Sequence, residues 1–140
     1  MKIIYVSETS NTERMAELIS EGVIQEGKDV ELLEASKVKA DDILNEEILV
    51  FGSPACGVET IEENTMEPLI ESLKGKIDNK KLALFGSYGW GDGEWLRSWE
   101  DKMISYGAVL VEESLAVLAN PSGSEQECIE FGKKLARQLS

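Results

Sequence analysis

Hydroxyl and amide side chains are concentrated in residues 7–12, which read Ser-Glu-Thr-Ser-Asn-Thr. They follow the apolar run 2–6, whose length and composition are typical of a buried strand. They precede apolar residues at helical spacing that continue to Gly27, a residue type that often ends a helix. A strand that turns directly into a helix gathers unpaired backbone N–H groups at the positive helix end, where an anion fits. The segment alone leaves two interpretations open: phosphate binding, or simple capping through a Ser10–Glu13 capping box.

Two further loops combine glycines with aromatic or apolar side chains. The loop after residues 48–52 contains Pro54, which stiffens the backbone, and Gly57, which accepts torsion angles closed to other residues. The loop 86–93 reads Gly-Ser-Tyr-Gly-Trp-Gly-Asp-Gly, and its Trp90 offers a flat surface on which a planar ring can stack. The alternative for Trp90 is a tight turn with the indole on the protein's own surface. Taken together, the three loops predict a phosphate pocket beside a slot for a flat ring.

The elements that position these loops alternate along the chain. Strands are predicted near 2–6, 30–34, 48–52, 82–86 and 108–118, and helices near 11–26, 64–73, 93–106 and 125–139, with a short helical turn near 40–44. This alternation indicates the α/β class, with a parallel sheet covered by helices on both faces. Ligands of such sheets collect beyond the carboxyl ends of the strands. Because no repeat, linker or low-complexity tract divides it, the chain 1–140 is predicted to be one domain.

The composition restricts the class of partner. Fourteen basic residues face 27 acidic ones, giving a formal net charge of −13 that argues against nucleic acid and favours a basic protein surface. Solubility alone explains the same charge. Histidine, the commonest general base and metal ligand, is absent. Cys56 and Cys128 are too few for a disulfide framework, and no apolar stretch reaches membrane-spanning length, so the expected location is the cytoplasm.

The loop motifs resemble those of short-chain flavodoxins of the clostridial type, and the similarity extends over essentially the whole chain. The matching motifs are Ser7-x-Thr9-x-Asn11-Thr12, Ala55-x-Gly57-x-Glu59 and the segment 86–93, of which the last is the most specific. The resemblance implies a flavodoxin-like three-layer sandwich, with a five-stranded parallel sheet in the order 2-1-3-4-5. It also implies an electron-transfer protein rather than an enzyme: a low-potential one-electron carrier with non-covalently bound FMN, which shuttles electrons between redox enzymes through semiquinone and hydroquinone states.

By this resemblance, the first loop would bind the FMN phosphate through hydroxyl, amide and backbone N–H groups. The residues concerned are Ser7, Thr9, Asn11 and Thr12, while Glu8 would contribute its backbone only. Ser10 stands where the family usually has glycine. A serine can cap the helix, but it restricts the backbone and adds bulk beside the phosphate.

The same resemblance places the isoalloxazine ring between the other two loops. Trp90 would cover one face of the ring, and Glu59 would hydrogen-bond its pyrimidine end. The second loop would line the opposite face through Ala55, Cys56 and Gly57, with Pro54 and Val58 also among its cofactor-binding residues. The third loop would approach the flavin through backbone groups of Ser87, Tyr88, Gly89 and Gly91. The Gly57 carbonyl would accept a hydrogen bond from the reduced ring.

The charges suggest how a partner would dock. Most basic residues map to the sheet end opposite the loops: Lys2, Lys28, Lys74, Lys76, Lys80, Lys81, Lys102, Lys133, Lys134 and Arg137. Acidic residues map to the loop end: Glu8, Glu59, Glu62, Glu63, Glu67, Asp92 and Glu94. This polarity predicts a monomeric carrier that docks on basic surfaces of reductases and low-potential oxidoreductases, with neither a nucleic-acid nor a membrane partner. Ordinary charge placement at helix ends explains part of the pattern.

Two other functions on this fold stay open. One is a small FMN-dependent NAD(P)H:quinone-type reductase, although the chain has no long insertion that would build a substrate pocket. The other is a flavin-free interaction module, for which Glu8 and Ser10 are the best arguments because neither residue favours a bound phosphate.

Overall fold

Short apolar runs and amphipathic helices alternate as the sequence predicts. The computed structural model describes residues 1–6, 10–55, 62–88, 93–118 and 121–139, without the side chains of Ser10 and Leu118. The strands are β1 (Lys2–Tyr5), β2 (Glu31–Glu34), β3 (Ile48–Gly52), β4 (Lys81–Tyr88), β5 (Val109–Leu110) and β6 (Leu115–Leu118). The helices are α1 (Ser10–Gln25), α2 (Ala40–Ile43), α3 (Met66–Ser72), α4 (Glu94–Ser105) and α5 (Glu125–Arg137). Single 3-10 turns lie at Ala35–Lys37 and Pro121–Gly123.

The strands form one sheet in which every pairing is parallel. Its order is β2-β1-β3-β4-β5, which confirms the predicted order 2-1-3-4-5. The central strand β3 is buried at all of its positions, as expected for a strand covered on both faces. Because the strands run in one direction, the ends of β1, β3 and β4 at Tyr5, Gly52 and Tyr88 lie along one edge. We call this edge, with the chain that directly follows these strands, the carboxyl edge.

The prediction of one continuous strand over residues 108–118 is wrong. β5 pairs with the start of β4 and β6 pairs with its end. Between the pairs Leu82–Leu110 and Phe85–Leu115, β4 advances by three residues (85 − 82) and the outer chain by five (115 − 110). The two extra residues belong to the polar run 112–114, in which the hydroxyl of Ser114 donates to a carboxylate oxygen of Glu100 at 2.6 Å. Polar side chains that bond outside the sheet therefore interrupt the strand.

The remaining predicted strands and helices are present, with ends that differ by a few residues. The helix stop predicted at Gly27 is confirmed by backbone geometry, and Gly107 ends another helix in the same way. Gly27 after α1 has φ = +78°, and Gly107 after α4 has φ = +92°. These left-handed conformations are available to glycine at little cost, and they terminate the helices.

Helices cover both faces of the sheet and complete the predicted three-layer sandwich. On the α1/α5 face, Met15, Ile19, Phe131 and Leu135 pack with Val50 and Phe85 of the sheet. On the α3/α4 face, Ile43, Ile70, Trp95, Trp99 and Met103 pack with Phe51 and Leu84. Fully burying a side chain of this size stabilises the fold by about 1.5–3 kcal/mol. None of the helices in the described ranges is both long and apolar enough to span a bilayer.

Candidate functional site

Buried polar side chains lie at the carboxyl edge in the part of the chain that the structure describes. They are Thr12, Ser53, Glu62 and Ser87, each at most 4% exposed. Thr12 lies in the first turn of α1, Ser53 follows β3, Glu62 precedes α3 and Ser87 is near the end of β4. Burying hydroxyl and carboxylate groups costs free energy unless hydrogen bonds compensate. The carboxyl edge therefore differs from the apolar interior, because it contains buried polar side chains that require hydrogen-bond partners.

Ser87 connects all three loops that the sequence singles out. Its Oγ lies 3.1 Å from Oγ1 of Thr12, at the start of α1. Its carbonyl oxygen accepts the backbone N–H of Ala55 at 2.9 Å, in the loop after β3. In a bond between two hydroxyl groups one proton is shared, and the second hydroxyl proton can be donated to a further acceptor.

Ser53 occupies the base of the second loop. Its Oγ donates to the carbonyl oxygen of Pro54 at 2.9 Å and accepts the backbone N–H of Glu62 at 3.0 Å. The backbone N–H of Ser53 donates to the carbonyl oxygen of Phe85 at 3.2 Å, so the serine is itself attached to β4. Ser53 therefore joins the two ends of the loop through its hydroxyl and attaches them to the sheet through its backbone N–H.

Glu62 organises the start of α3. Its carboxylate accepts the backbone N–H groups of Asn64, Thr65 and Met66 at 2.7, 2.7 and 3.0 Å, and also the Thr65 hydroxyl. Burial alone would raise the pKa of this carboxyl, but the four hydrogen bonds outweigh it and hold the pKa below its ordinary value. The prediction that Glu62 belongs to the acidic group at this edge is right in place. It needs correction in role, because the buried carboxylate serves the helix rather than an exposed docking surface.

Carboxylates also set the electrostatics at the end of β1. The pKa of the Tyr5 phenol is raised, first by burial and then by the negative charges of Glu13, Glu34 and Glu17. Each of these carboxylates makes the addition of another negative charge nearby less favourable. These carboxylates therefore disfavour a further negative charge close to the Tyr5 phenol.

The described members of the predicted site lie at the carboxyl edge. They are Ser10, Asn11, Thr12, Pro54, Ala55, Ser87 and Tyr88. Thr12 is fully buried, and its hydroxyl bonds to Ser87. The other predicted residues lie outside the described ranges: Ser7, Glu8, Thr9, Cys56, Gly57, Val58, Glu59, Gly89, Trp90 and Gly91. Their proposed roles stay predictions.

Sequence reasoning missed the roles of Ser53 and Glu62. A serine after a buried strand and a glutamate before a helix are both common, and their bonding to each other spans nine residues. The one available signal was the acidic residue shortly before an apolar helical pattern, which is favourable at a helix N-terminus.

The opposite end of the sheet uses its lysines locally. Lys2 and Lys80 donate to the carbonyl oxygens of Asp42 and Leu44 at 3.0 and 2.6 Å, at the end of α2. Lys102 pairs with Glu71 at 3.2 Å, and Arg137 pairs with Glu26 at 3.0 Å. Helix-end charge placement therefore accounts for much of the predicted polarity.

The chain has the doubly wound parallel sheet of a class of α/β proteins, and its polar network lies at the carboxyl edge, where proteins of this class bind ligands. The flavodoxin family profile matches residues 3–132. A flavodoxin of Clostridium beijerinckii is 55% identical over 136 residues, covering 97% of this chain and 99% of the relative. A flavodoxin of Megasphaera elsdenii is 36% identical over 137 residues, covering 98% of each.

The fold leads to the same family. The solution structure of two-electron reduced Megasphaera elsdenii flavodoxin matches with a TM-score of 0.89 at 36% identity, over 97% of this chain and 98% of the other. The chain belongs to the flavodoxin family. It is an FMN-dependent electron carrier that serves redox partners rather than an enzyme, and the quinone-type reductase is not favoured.

Proposed function

We propose that the FMN of this carrier binds at the carboxyl edge, in the three loops that meet at Ser87. The observation that supports this place is the double contact of Ser87, with Thr12 through its hydroxyl and with Ala55 through its carbonyl oxygen. A ligand that contacts one loop is thereby coupled to the other two. Bound there, FMN supplies the one-electron redox chemistry, and the chain supplies binding, orientation and electrostatics.

The donors at this edge suit a phosphate group. The 16-residue helix α1 directs the backbone N–H groups of its first turn toward the first loop, and its dipole favours an anion there. Side chains of residues 7, 9, 11 and 12 add hydroxyl and amide donors. We propose Ser7, Thr9, Asn11 and Thr12 as the phosphate-binding residues, with binding through dipoles rather than through a lysine or arginine.

The residues proposed for the flavin ring come from the other two loops. Residues 54–59 form one side of the ring site, with Glu59 at its pyrimidine end. Residues 87–91 form the other side, with Trp90 over the ring. Ala55 and Ser87, which bond directly to each other, hold the two sides at a set distance near their origin.

We further propose that the carrier works at low potential. Glu13, Glu17 and Glu34, which raise the pKa of the Tyr5 phenol, create the same unfavourable potential for an additional electron near β1. The residues proposed to bind the phosphate are neutral donors, so no basic side chain of the first loop offsets the negative charge that FMN gains on reduction.

The surface on which a redox partner would dock is proposed from the charges. Glu63 and Glu94 are exposed beside the carboxyl edge, in a chain with a net charge of −13. We propose a cytoplasmic, single-domain monomer that presents this edge to basic surfaces on reductases and low-potential oxidoreductases. Electrostatic steering of this kind raises association rates and weakens as salt is added.

An anaerobic reductive titration of the purified protein tests the function. The expected result is one FMN per chain and a long-wavelength absorbance band after one electron, which disappears after the second. Protein without flavin, or passage directly to the fully reduced spectrum, would contradict the proposal. Steady oxidation of NAD(P)H by the protein alone would favour the reductase instead.

The Ser87→Ala variant tests the place of the site. Ser87→Ala removes the hydroxyl contact between two of the loops, and the Kd for FMN is expected to rise about fivefold, which corresponds to about 1 kcal/mol of binding free energy. Ser105→Ala is the matched control, because its hydroxyl donates to the carbonyl oxygen of Lys102 at an exposed position of helix α4. Equal FMN affinity in both variants would place the flavin elsewhere.

A further inference from the structure

We propose that Ser53 is a positioning residue for FMN: its hydroxyl holds the two ends of the 54–62 loop together in the free protein and thereby sets the affinity for the flavin. This inference rests on the proposed FMN site. Ser53 itself is fully buried, so its effect on FMN passes through the loop whose ends it holds.

The hydroxyl of Ser53 forms one hydrogen bond at each end of the loop. It donates its one proton to the carbonyl oxygen of Pro54 at 2.9 Å, and it accepts the backbone N–H of Glu62 at 3.0 Å. Both hydrogen bonds are buried, so alanine at this position removes two buried contacts and takes away the acceptor of the Glu62 N–H. No apolar side chain of similar size can replace this double contact.

We call the Ser53 hydroxyl and its bonds to Pro54 and Glu62 the clamp. It connects to a strand on one side and to a helix on the other. Toward the sheet, the N–H of Ser53 donates to Phe85 of β4 at 3.2 Å, and the N–H of Ala55 donates to Ser87 at 2.9 Å. Toward the helix, Glu62 holds the start of α3 through its carboxylate. The Ser53 hydroxyl therefore joins two loop ends that are themselves attached to β4 and to α3.

Fixing the ends of a loop before a ligand arrives strengthens binding. A loop whose ends are held has fewer conformations to lose, and the ordering cost at binding is smaller. The loop 54–62 contains the residues proposed to contact one side of the flavin ring. Loss of the Ser53 hydroxyl should therefore weaken FMN binding even in a protein that remains folded.

The test compares Ser53→Ala, Ser53→Cys and the wild-type protein as apoproteins titrated with FMN. Ser53→Ala should raise the Kd for FMN about tenfold and change the visible circular dichroism of the bound flavin. Ser53→Cys keeps nearly the same volume but has a weak donor and acceptor, so its Kd should lie between the other two. Ser72→Ala is the control, because its hydroxyl donates to Leu69 within α3 and does not touch the loop.

A merely structural role predicts a different pattern. It lowers the Tm of the apoprotein while the Kd and the dichroism of the folded variants stay at wild-type values, and that result would overturn the proposal. If Ser53→Ala fails to fold, Ser53→Cys decides between the two by the same measurements. If the Kd for FMN rises in Ser87→Ala but stays at the wild-type value in Ser53→Ala, the role of the Ser53 hydroxyl alone is overturned. If the Kd stays at the wild-type value in both variants, the proposed FMN site is overturned.

Discussion

The helices on the two faces of the sheet pack by opposite means. On the α1/α5 face, backbones approach through glycine: a Cβ at Gly22 would lie 2.0 Å from the carbonyl oxygen of Ile129, and one at Gly132 would lie 2.0 Å from that of Ile19. On the α3/α4 face, large rings fill the space, with the centroids of Trp95 and Trp99 6.4 Å apart and their planes inclined by 28°.

The two faces also differ in how well they satisfy polar groups. The indole Nε1 atoms of Trp95 and Trp99 are buried and have no hydrogen-bond partner among the described residues. Such donors carry a desolvation cost that a purely apolar ring avoids. The α1/α5 face has close backbone contact and ion pairs at its rim, such as Arg14 with Glu125 at 3.2 Å.

The two halves of the predicted site are held in place by different contacts. The first loop leads into α1, which is locked against α5 at Gly22 and Gly132. The loop after β3 leads toward α3 on the other face, and it relies on Ser53 and Glu62 for its position. The predicted phosphate side therefore depends on helix contact, and the predicted ring side depends on individual hydrogen bonds.

The largest expected effect comes from adding one methyl group to the glycine contact. Gly132→Ala should lower the free energy of unfolding by about 2–3 kcal/mol, because the helices must move apart despite the better helix propensity of alanine. Urea denaturation followed by circular dichroism measures this. Gly123→Ala is the matched control, since its Cβ would meet nothing within 4 Å. Equal stability of the two variants would show that the close approach of the helices at Gly132 does not stabilise this face.

The next effect concerns the ring side. Glu62→Gln should lower the free energy of unfolding by about 1–3 kcal/mol, because the amide nitrogen would face the N–H donor that one carboxylate oxygen now accepts. Glu63→Gln, at an exposed position, is the control. Urea denaturation at neutral pH measures both variants, and a loss for Glu63→Gln as large as that for Glu62→Gln would contradict a special role for the cap.

The same carboxyl predicts a pH dependence with a definite sign. The folded-state pKa of Glu62 lies below its ordinary value of 4.5, so the unfolded chain binds more protons in this range. The stabilisation by Glu62 is thus fully present above pH 4.5 and is lost as the pH falls through the native pKa. Denaturation curves of wild type and Glu62→Gln should converge in acid, and a constant difference at all pH values would count against this assignment.

A smaller effect is expected within the aromatic pair. Trp99→Phe removes some buried area but also removes an unpaired N–H group, and the two contributions oppose each other. The free energy of unfolding should change by less than about 1.5 kcal/mol. Thermal unfolding measures it, with Met103→Ala as the comparison for simple loss of volume on the same helix. A loss as large as that of Gly132→Ala would mean that the two faces are equally intolerant.

The smallest effect should come from the ion pair at the rim of the α1/α5 face. Arg14 and Glu125 are each about half exposed, at 47% and 51%. Exposed pairs of this kind contribute little, and salt screens them. Arg14→Gln should leave the urea midpoint essentially unchanged at moderate salt. A clear loss that persists at high salt would show that rim charges, and not the glycine contact, hold this face.

Much of the fold was predictable because its signals are local. The apolar runs of β1, β3 and β4 and the glycines after α1 and α4 act through the residues that carry them. The outer strand was mispredicted because the polar run 112–114 does not show by itself that Ser114 bonds to Glu100, fourteen residues away, and leaves the sheet. Ser53 and Glu62 were missed in their roles for the same reason.

The sequence by itself determined the alternation of strands and helices, the direction of the sheet and the three loops at its carboxyl edge. Local propensities and residue spacing are sufficient for these, since each depends on neighbours along the chain. Only the tertiary structure decided which polar side chains turn inward and which partners they find. Thr12 and Ser87 are 75 residues apart in the chain, and their hydroxyl groups meet only because the parallel sheet brings the start of α1 close to the end of β4.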